Sequence, residues 1–191
     1  MKKTFLILLI SLLFVPAFVS DAYAVQQEGD VELAVVAASV SYLELDVDDD
    51  DGALVLEDVD IEDEQTQLLI GLRLSTYMTR EWQAGVGITG AYNFDTDNAA
   101  IAADGFLNYN FVTEGSTVVP YIGVGGGGSY VEVDDEDDFS PQAGGQAGVK
   151  FYIADNINLF AEFNYRYLFI DEGDIDGAHN VAGLFGVGVL F

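Results

Sequence analysis

Residues 160–169 read FAEFNYRYLF. On a helix, their charged and apolar side chains would be mixed on every side. On a strand, side chains alternate between two faces. One face then carries Ala161, Phe163, Tyr165, Tyr167 and Phe169, with no charge. The other carries Phe160, Glu162, Asn164, Arg166 and Leu168, so both charges and the amide share one side. The segment is a strand with two chemically distinct faces, and the rest of the chain decides which of them meets water.

The same period of two recurs along the sequence. A first strand near Leu33–Leu45 puts Ala34, Val36, Ala38, Val40 and Tyr42 on its apolar face. A second, near Thr66–Thr79, sets Leu68, Ile70, Leu72 and Leu74 against Leu69, Gly71, Arg73, Ser75 and Tyr77. A third, Trp82–Phe94, sets Trp82, Val86, Ile88 and Tyr92 against Gln83, Gly85, Gly87 and Thr89. A fourth, Ala99–Phe111, sets Ile101, Leu107, Tyr109 and Phe111 against Asp104, Phe106 and Asn108. A fifth, Val118–Val133, contains PYIGVGGGGSY, whose glycines leave its facing open. A sixth, Gln142–Ile153, sets Val149, Phe151 and Ile153 against Gln146, Lys150 and Tyr152. The seventh is the segment above. The eighth, Asn180–Phe191, sets Val181, Phe185, Val187, Val189 and Phe191 against Asn180, Ala182, Gly186 and Gly188.

Short connections (MTRE, VTEGS, ADN) alternate with longer ones at residues 46–65, 131–141 and 170–179, and with the short acidic 95–98. This is the pattern of an all-β, eight-stranded antiparallel up-and-down transmembrane β-barrel. The charge agrees with it. The 191 residues are half hydrophobic yet carry a formal charge of −27. Those four connections hold 23 of the 33 acids, so the acidity gathers at one rim. The apolar faces end in aromatics at both rims: Tyr42, Tyr92, Phe94, Tyr167 and Phe169 at one, Trp82, Tyr109, Phe111, Phe151 and Phe191 at the other. Two aromatic girdles around an apolar band face lipid. A soluble lipocalin-like barrel, the competing fold, would be apolar inside instead.

The chain starts with Lys2 and Lys3, an apolar run from Phe5 to Phe14, and Ala22-Tyr23-Ala24. This layout predicts a secretory signal peptide over 1–24 and a barrel domain over 25–191. The mature chain loses two lysines and one aspartate and carries −28. No later run of about 18 apolar residues offers a membrane helix. With no cysteine there is no disulfide framework, thiol chemistry or N-terminal lipid anchor.

The segments PYIGVGGGGSY, AGVKFYIADNINLFAEFNYRY and NVAGLFGVGVLF resemble the small eight-stranded outer-membrane β-barrels: the OmpX-like proteins, the OmpA membrane domain and the opacity-type surface antigens. The resemblance covers nearly all of the mature chain. It implies the Gram-negative outer membrane, contact with membrane lipid and lipopolysaccharide, and recognition of the terminal Phe191 by the barrel-assembly machinery.

Three of the four basic residues of the mature chain, Arg73, Lys150 and Arg166, fall on the inward face with Asp104 and Glu162. Arg73 and Glu162 lie at one height, about seven residues from their turns at ~3.3 Å each. Lys150 is a diagonal neighbour of Glu162. Asp104 and Arg166 lie at a second height, roughly ten to eleven residues up. Eight strands enclose room for side chains only, so these five residues are expected to form a structural plug. Inward glycines leave space for Tyr77, Phe106, Tyr152 and Phe160.

Other motifs carry less. DVDDDDGALVLED lacks the first ligand and the closing Glu of an EF-hand. GVGGGG lacks the lysine and helix of a phosphate loop. The acidity opposes nucleic-acid binding. His179, the only histidine, has no serine near it in sequence to activate. The expected role is therefore non-enzymatic, structural or surface-interacting, without a dedicated cofactor. A narrow solute channel and a lipid-modifying enzyme are the competing roles. The acidic rim is a candidate for cationic ligands and for weak Ca²⁺ or Mg²⁺ binding, through Asp48, Asp49, Asp50, Asp51, Asp134, Asp135, Asp137 and Asp138.

Overall fold

A computed structural model describes residues 26–47, 67–93, 98–133, 136–172 and 175–191. Eight strands run in order: β1 (Val31–Val47), β2 (Gln67–Tyr77), β3 (Trp82–Asn93), β4 (Asn98–Asn110), β5 (Val118–Val133), β6 (Glu136–Ala154), β7 (Ile157–Glu172) and β8 (Ile175–Leu190). Each pairs antiparallel with its sequence neighbour, and β1 pairs with β8, so the sheet closes on itself. Closure satisfies every strand's backbone groups without an edge, which lipid demands of any sheet that crosses it. No helix among the described residues is long and apolar enough to cross a membrane; the strands do so.

The alternation read from the sequence holds in β2, β3, β4, β6, β7 and β8. Outward side chains such as Leu72, Val86, Ile88, Ile101 and Phe163 are each more than half exposed. Their inward neighbours Ser75, Tyr77, Gln83, Asn108, Lys150, Glu162 and Arg166 are buried. The molecule is apolar outside and polar inside, so the lipocalin-like alternative does not apply. In β5 the open facing resolves as Val118, Ile122, Val124 and Tyr130 outward, with Val119, Tyr121 and Ser129 buried inward.

The first strand differs from the expectation. Ala34 and Val36 are buried in the lumen, while Val31, Leu33 and Val35 are exposed on the membrane face. From Leu33 to Ala38 both faces are apolar, so the period of two does not say there which is which; Glu32, just ahead, is the one charge that marks the inner face. A register shift between Ala38 and Val40 then slips the alternation by one residue. Of the two proposed girdles, Tyr42 and Phe94 lie outside the described side chains. The remaining aromatics stack in part: Trp82 on Tyr109 and Tyr109 on Phe111 at 5.1 Å, Tyr167 on Phe169 at 5.0 Å.

The strands are also longer than expected on one side. A membrane crossing takes about 9–11 residues. β2, β3 and β4 have 11, 12 and 13 residues, but β1 has 17 and β5 to β8 have 16 to 19. The supposed connection 131–141 is mostly hairpin, with Val131, Glu132 and Val133 opposite Asp138, Asp137 and Glu136. Likewise β7 reaches Glu172 before β8 begins at Ile175. Among the described residues, the β5–β6 and β7–β8 hairpins run on past the membrane-crossing length at the acidic end. The turns 78–81, 111–117 and 155–156 share the opposite end with the chain's first described residues.

Candidate functional site

The lumen is filled by side chains from all eight strands. Deepest toward the turn end, Lys150 on β6 reaches across to Glu32 on β1. Its Nζ donates to Glu32 Oε2 at 2.9 Å and Oε1 at 3.1 Å, to the Tyr77 hydroxyl at 2.7 Å and to Gln83 Oε1 at 3.0 Å. Glu32 also accepts from Tyr77, Gln83 and Asn158 at 3.0–3.1 Å. The ammonium lies 5.2 Å from the Tyr77 ring centroid and 5.8 Å from that of Tyr121. A buried lysine stays charged only with such compensation, because desolvation alone disfavours it strongly.

One layer up, Arg73 on β2 forms a fork with Glu162 on β7, with both N–H···O distances 2.9 Å. Bidentate pairs of this kind combine strength with fixed geometry. The Tyr121 hydroxyl and the Asn164 amide donate to the same carboxylate at 2.8 and 3.2 Å. The Arg73 guanidinium also sits 5.5 Å from the Phe106 centroid.

Highest, Arg166 on β7 lies 3.5 Å from Asp104 on β4. It is held more tightly by Gln146 Oε1 at 2.8 Å and by the carbonyls of Tyr165 and Gly145 at 3.1 and 3.2 Å. Gln146 donates to Asn108, and Asn108 approaches Gln83 at 3.5 Å, so amides link the top layer to the bottom one.

The five residues expected inside are thus all inside, but their partnership differs in one respect. Arg73 meets Glu162, and Asp104 lies beside Arg166. Lys150 pairs with Glu32 rather than with Glu162. Glu32 lies just ahead of the strand expected from Leu33, on the same face as Ala34 and Val36, which the structure turns inward. Its own charge was the available signal, since a carboxylate between Val31 and Leu33 belongs in the lumen and forces Val31, Leu33 and Val35 outward. The glycines open space as expected under Phe106 (Gly85) and Phe160 (Gly186), but at Gly148 the neighbour is Tyr121, not Tyr77 or Tyr152.

Between the two lower ion pairs remains a cavity of about 20 Å³, lined by Glu32, Arg73, Gln83, Asn108, Tyr121, Lys150 and Glu162 among others. That is room for about one water molecule.

Outside the lumen, His179 faces outward on β8, with Nδ1 hydrogen-bonded to the Tyr165 hydroxyl at 2.7 Å and its ring 5.1 Å from Tyr167. Phe191 is 75% exposed, and its backbone pairs with Val31. Among the described residues no group of three or more His, Cys, Asp or Glu side chains is placed to hold a metal ion. Asp48, Asp49, Asp50, Asp51, Asp134 and Asp135 lie outside the described residues. Asp137 and Asp138 lie in β6.

The sequence profile for the outer membrane protein beta-barrel domain matches residues 5–191. The chain belongs to that family. This outer-membrane barrel is similar in fold to Neisserial surface protein A, with a TM-score of 0.58 and 20% identity over 86% of this chain and 100% of that one. It is also similar to the N-terminal β-barrel domain of Pseudomonas aeruginosa OprF, with a TM-score of 0.54 and 15% identity over 87% and 100% of the two chains. At such identities the likeness concerns the fold. No curated protein matches the barrel in sequence. An outer-membrane barrel of this family resides in the outer membrane of Gram-negative bacteria, where its apolar belt meets lipid.

Proposed function

We propose that the protein is a non-enzymatic, non-conducting outer-membrane barrel with a structural and surface-interaction role. One observation carries this reading. Among the described residues the lumen holds three cations and three anions, each cation within 3.5 Å of its own anion, and the cavity between the two lower pairs admits about one water. An eight-stranded barrel has an interior that side chains fill. Removing one partner of such a pair leaves a buried charge that costs several kcal/mol, so the network favours staying closed over opening for a solute.

The acidic end then faces outward, since barrels of this class keep their short turns in the periplasm. It acts on cationic ligands through a salt-dependent field, and weakly gathers Ca²⁺ or Mg²⁺ that also bridge lipopolysaccharide phosphates. Phe191 at the open end of β8 serves as the signal for the barrel-assembly machinery. His179, engaged by two tyrosines on the outer face, serves at the membrane interface rather than as a base.

Planar-bilayer recording tests the reading. The folded protein is expected to give no steady single-channel conductance; reproducible open levels that change selectivity in Glu162→Gln would replace it with the channel reading.

A further inference from the structure

The turn end of the lumen has a second closure, made by the chain ahead of β1. Residues that precede a first strand are normally solvated, yet Gln26 is only 1% exposed. Its Oε1 accepts from the Tyr152 hydroxyl on β6, and its Nε2 donates to the Arg80 carbonyl in the β2–β3 turn at 3.2 Å. The backbone behind it is fixed as well. Gly29 N donates to the Tyr77 carbonyl at 2.8 Å, and Tyr77 N donates to the Asp30 carbonyl at 2.9 Å. The chain turns at Gly29, whose φ of +94° suits glycine and strains any L side chain. Tyr152 in turn packs with Tyr77, Val119 and Leu190 in a buried cluster. The cluster touches the lowest ion pair only through the Tyr77 hydroxyl, which accepts from Lys150 and donates to Glu32.

We propose that residues 26–30 are a tethered stopper, with Gln26 as its head, that seals the turn-end mouth of the barrel and can leave it without unfolding the wall. The segment is held by a few hydrogen bonds and one buried side chain, which is the profile of a unit that opens locally. Its release spares the β1–β2 and β1–β8 ladders, which begin at Val31 and Glu32. The barrel then has two seals, the ion-pair layers in its middle and this strap at one end, which meet at Tyr77.

The absence of cysteine makes the test clean. Val119 is fully buried in the cluster next to the stopper, so Val119→Cys reports access from the turn end. The full chain, folded in lipid nanodiscs, is treated with a charged, membrane-impermeant maleimide. Val119→Cys alone should react slowly. Adding Gln26→Ala, or separately Gly29→Ala, should raise the rate at least tenfold, while the heat-modifiable mobility of the folded barrel stays the same. Gly29→Ala is the sharper variant: a Cβ there meets nothing within 4 Å, so it acts only through the strained turn. Rises below threefold in both variants, whether the parent reacts slowly or fast, would overturn the stopper.

Discussion

Lys150 and Glu32 meet at 2.9 Å although their strands, β6 and β1, are not neighbours in the sheet. The pair spans the lumen and ties opposite walls together. Both side chains are buried, and the carboxylate has three further donors. Glu32→Gln should therefore leave a buried ammonium without its counter-charge and cost about 3–5 kcal/mol. Combining it with Lys150→Met should recover much of the loss. Denaturant unfolding in lipid vesicles measures both; additive losses in the double variant would contradict the pairing.

The outward face makes a second prediction. Val187 lies on the lipid side of β8 near the middle of the band. Val187→Arg should cost about 2–4 kcal/mol and lower the folded fraction in outer membranes. Wild-type folding yield for this variant would mean that the facing of β8 is inverted.

Glycines inside the wall are not equivalent. A Cβ at Gly85 would come 2.5 Å from Phe106 and 2.6 Å from Ser75, and one at Gly188 would come 2.8 Å from the Asn158 amide. Gly85→Ala and Gly188→Ser should each destabilise by about 1–3 kcal/mol through overpacking. Gly183→Ala, with open space around it, should be close to neutral. Equal stabilities for all three would show that the lumen is looser than these contacts require.

The acidic rim predicts a weak ion response. Ca²⁺ titrated at ~0.15 M monovalent salt should shift amide signals of the acidic connections with an affinity of about 10⁻⁴–10⁻³ M. Changing Asp134, Asp135, Asp137 and Asp138 together to Asn should abolish the shifts near them. Identical shifts in that variant would leave only a solvated acidic rim.

Where the sequence was legible, it was so for a physical reason. In β2, β4, β6 and β7 a charge marks one face, and in lipid a charge can belong only to the lumen. In β1 the stretch after Glu32 is apolar on both faces and a register shift follows, so alternation counted from Leu33 carries no facing, and the one residue that carries it, Glu32, lies ahead of that count. β5 has glycine on both faces, and glycine carries no facing information. The bounds of β5 were legible, but the extended acidic ends of β6, β7 and β8 were hidden by their Asp and Glu residues, which have poor strand propensity but are carried by a ladder already running below them. Equal height predicted Arg73–Glu162. It could not predict Lys150–Glu32, because partners across a barrel depend on its stagger.

A lumen whose charges cancel has a consequence for neighbouring copies. The formal charge is left at the ends, and residues 46–65, 95–98, 131–141 and 170–179 contain 23 acids and no lysine or arginine. Two barrels inserted in the same direction bring these ends side by side. At physiological ionic strength the field decays over ~8 Å, so it is felt by touching copies and hardly at all one barrel's width away. Charge of one sign at these connections opposes close contact between copies inserted in the same direction, and added salt weakens that opposition.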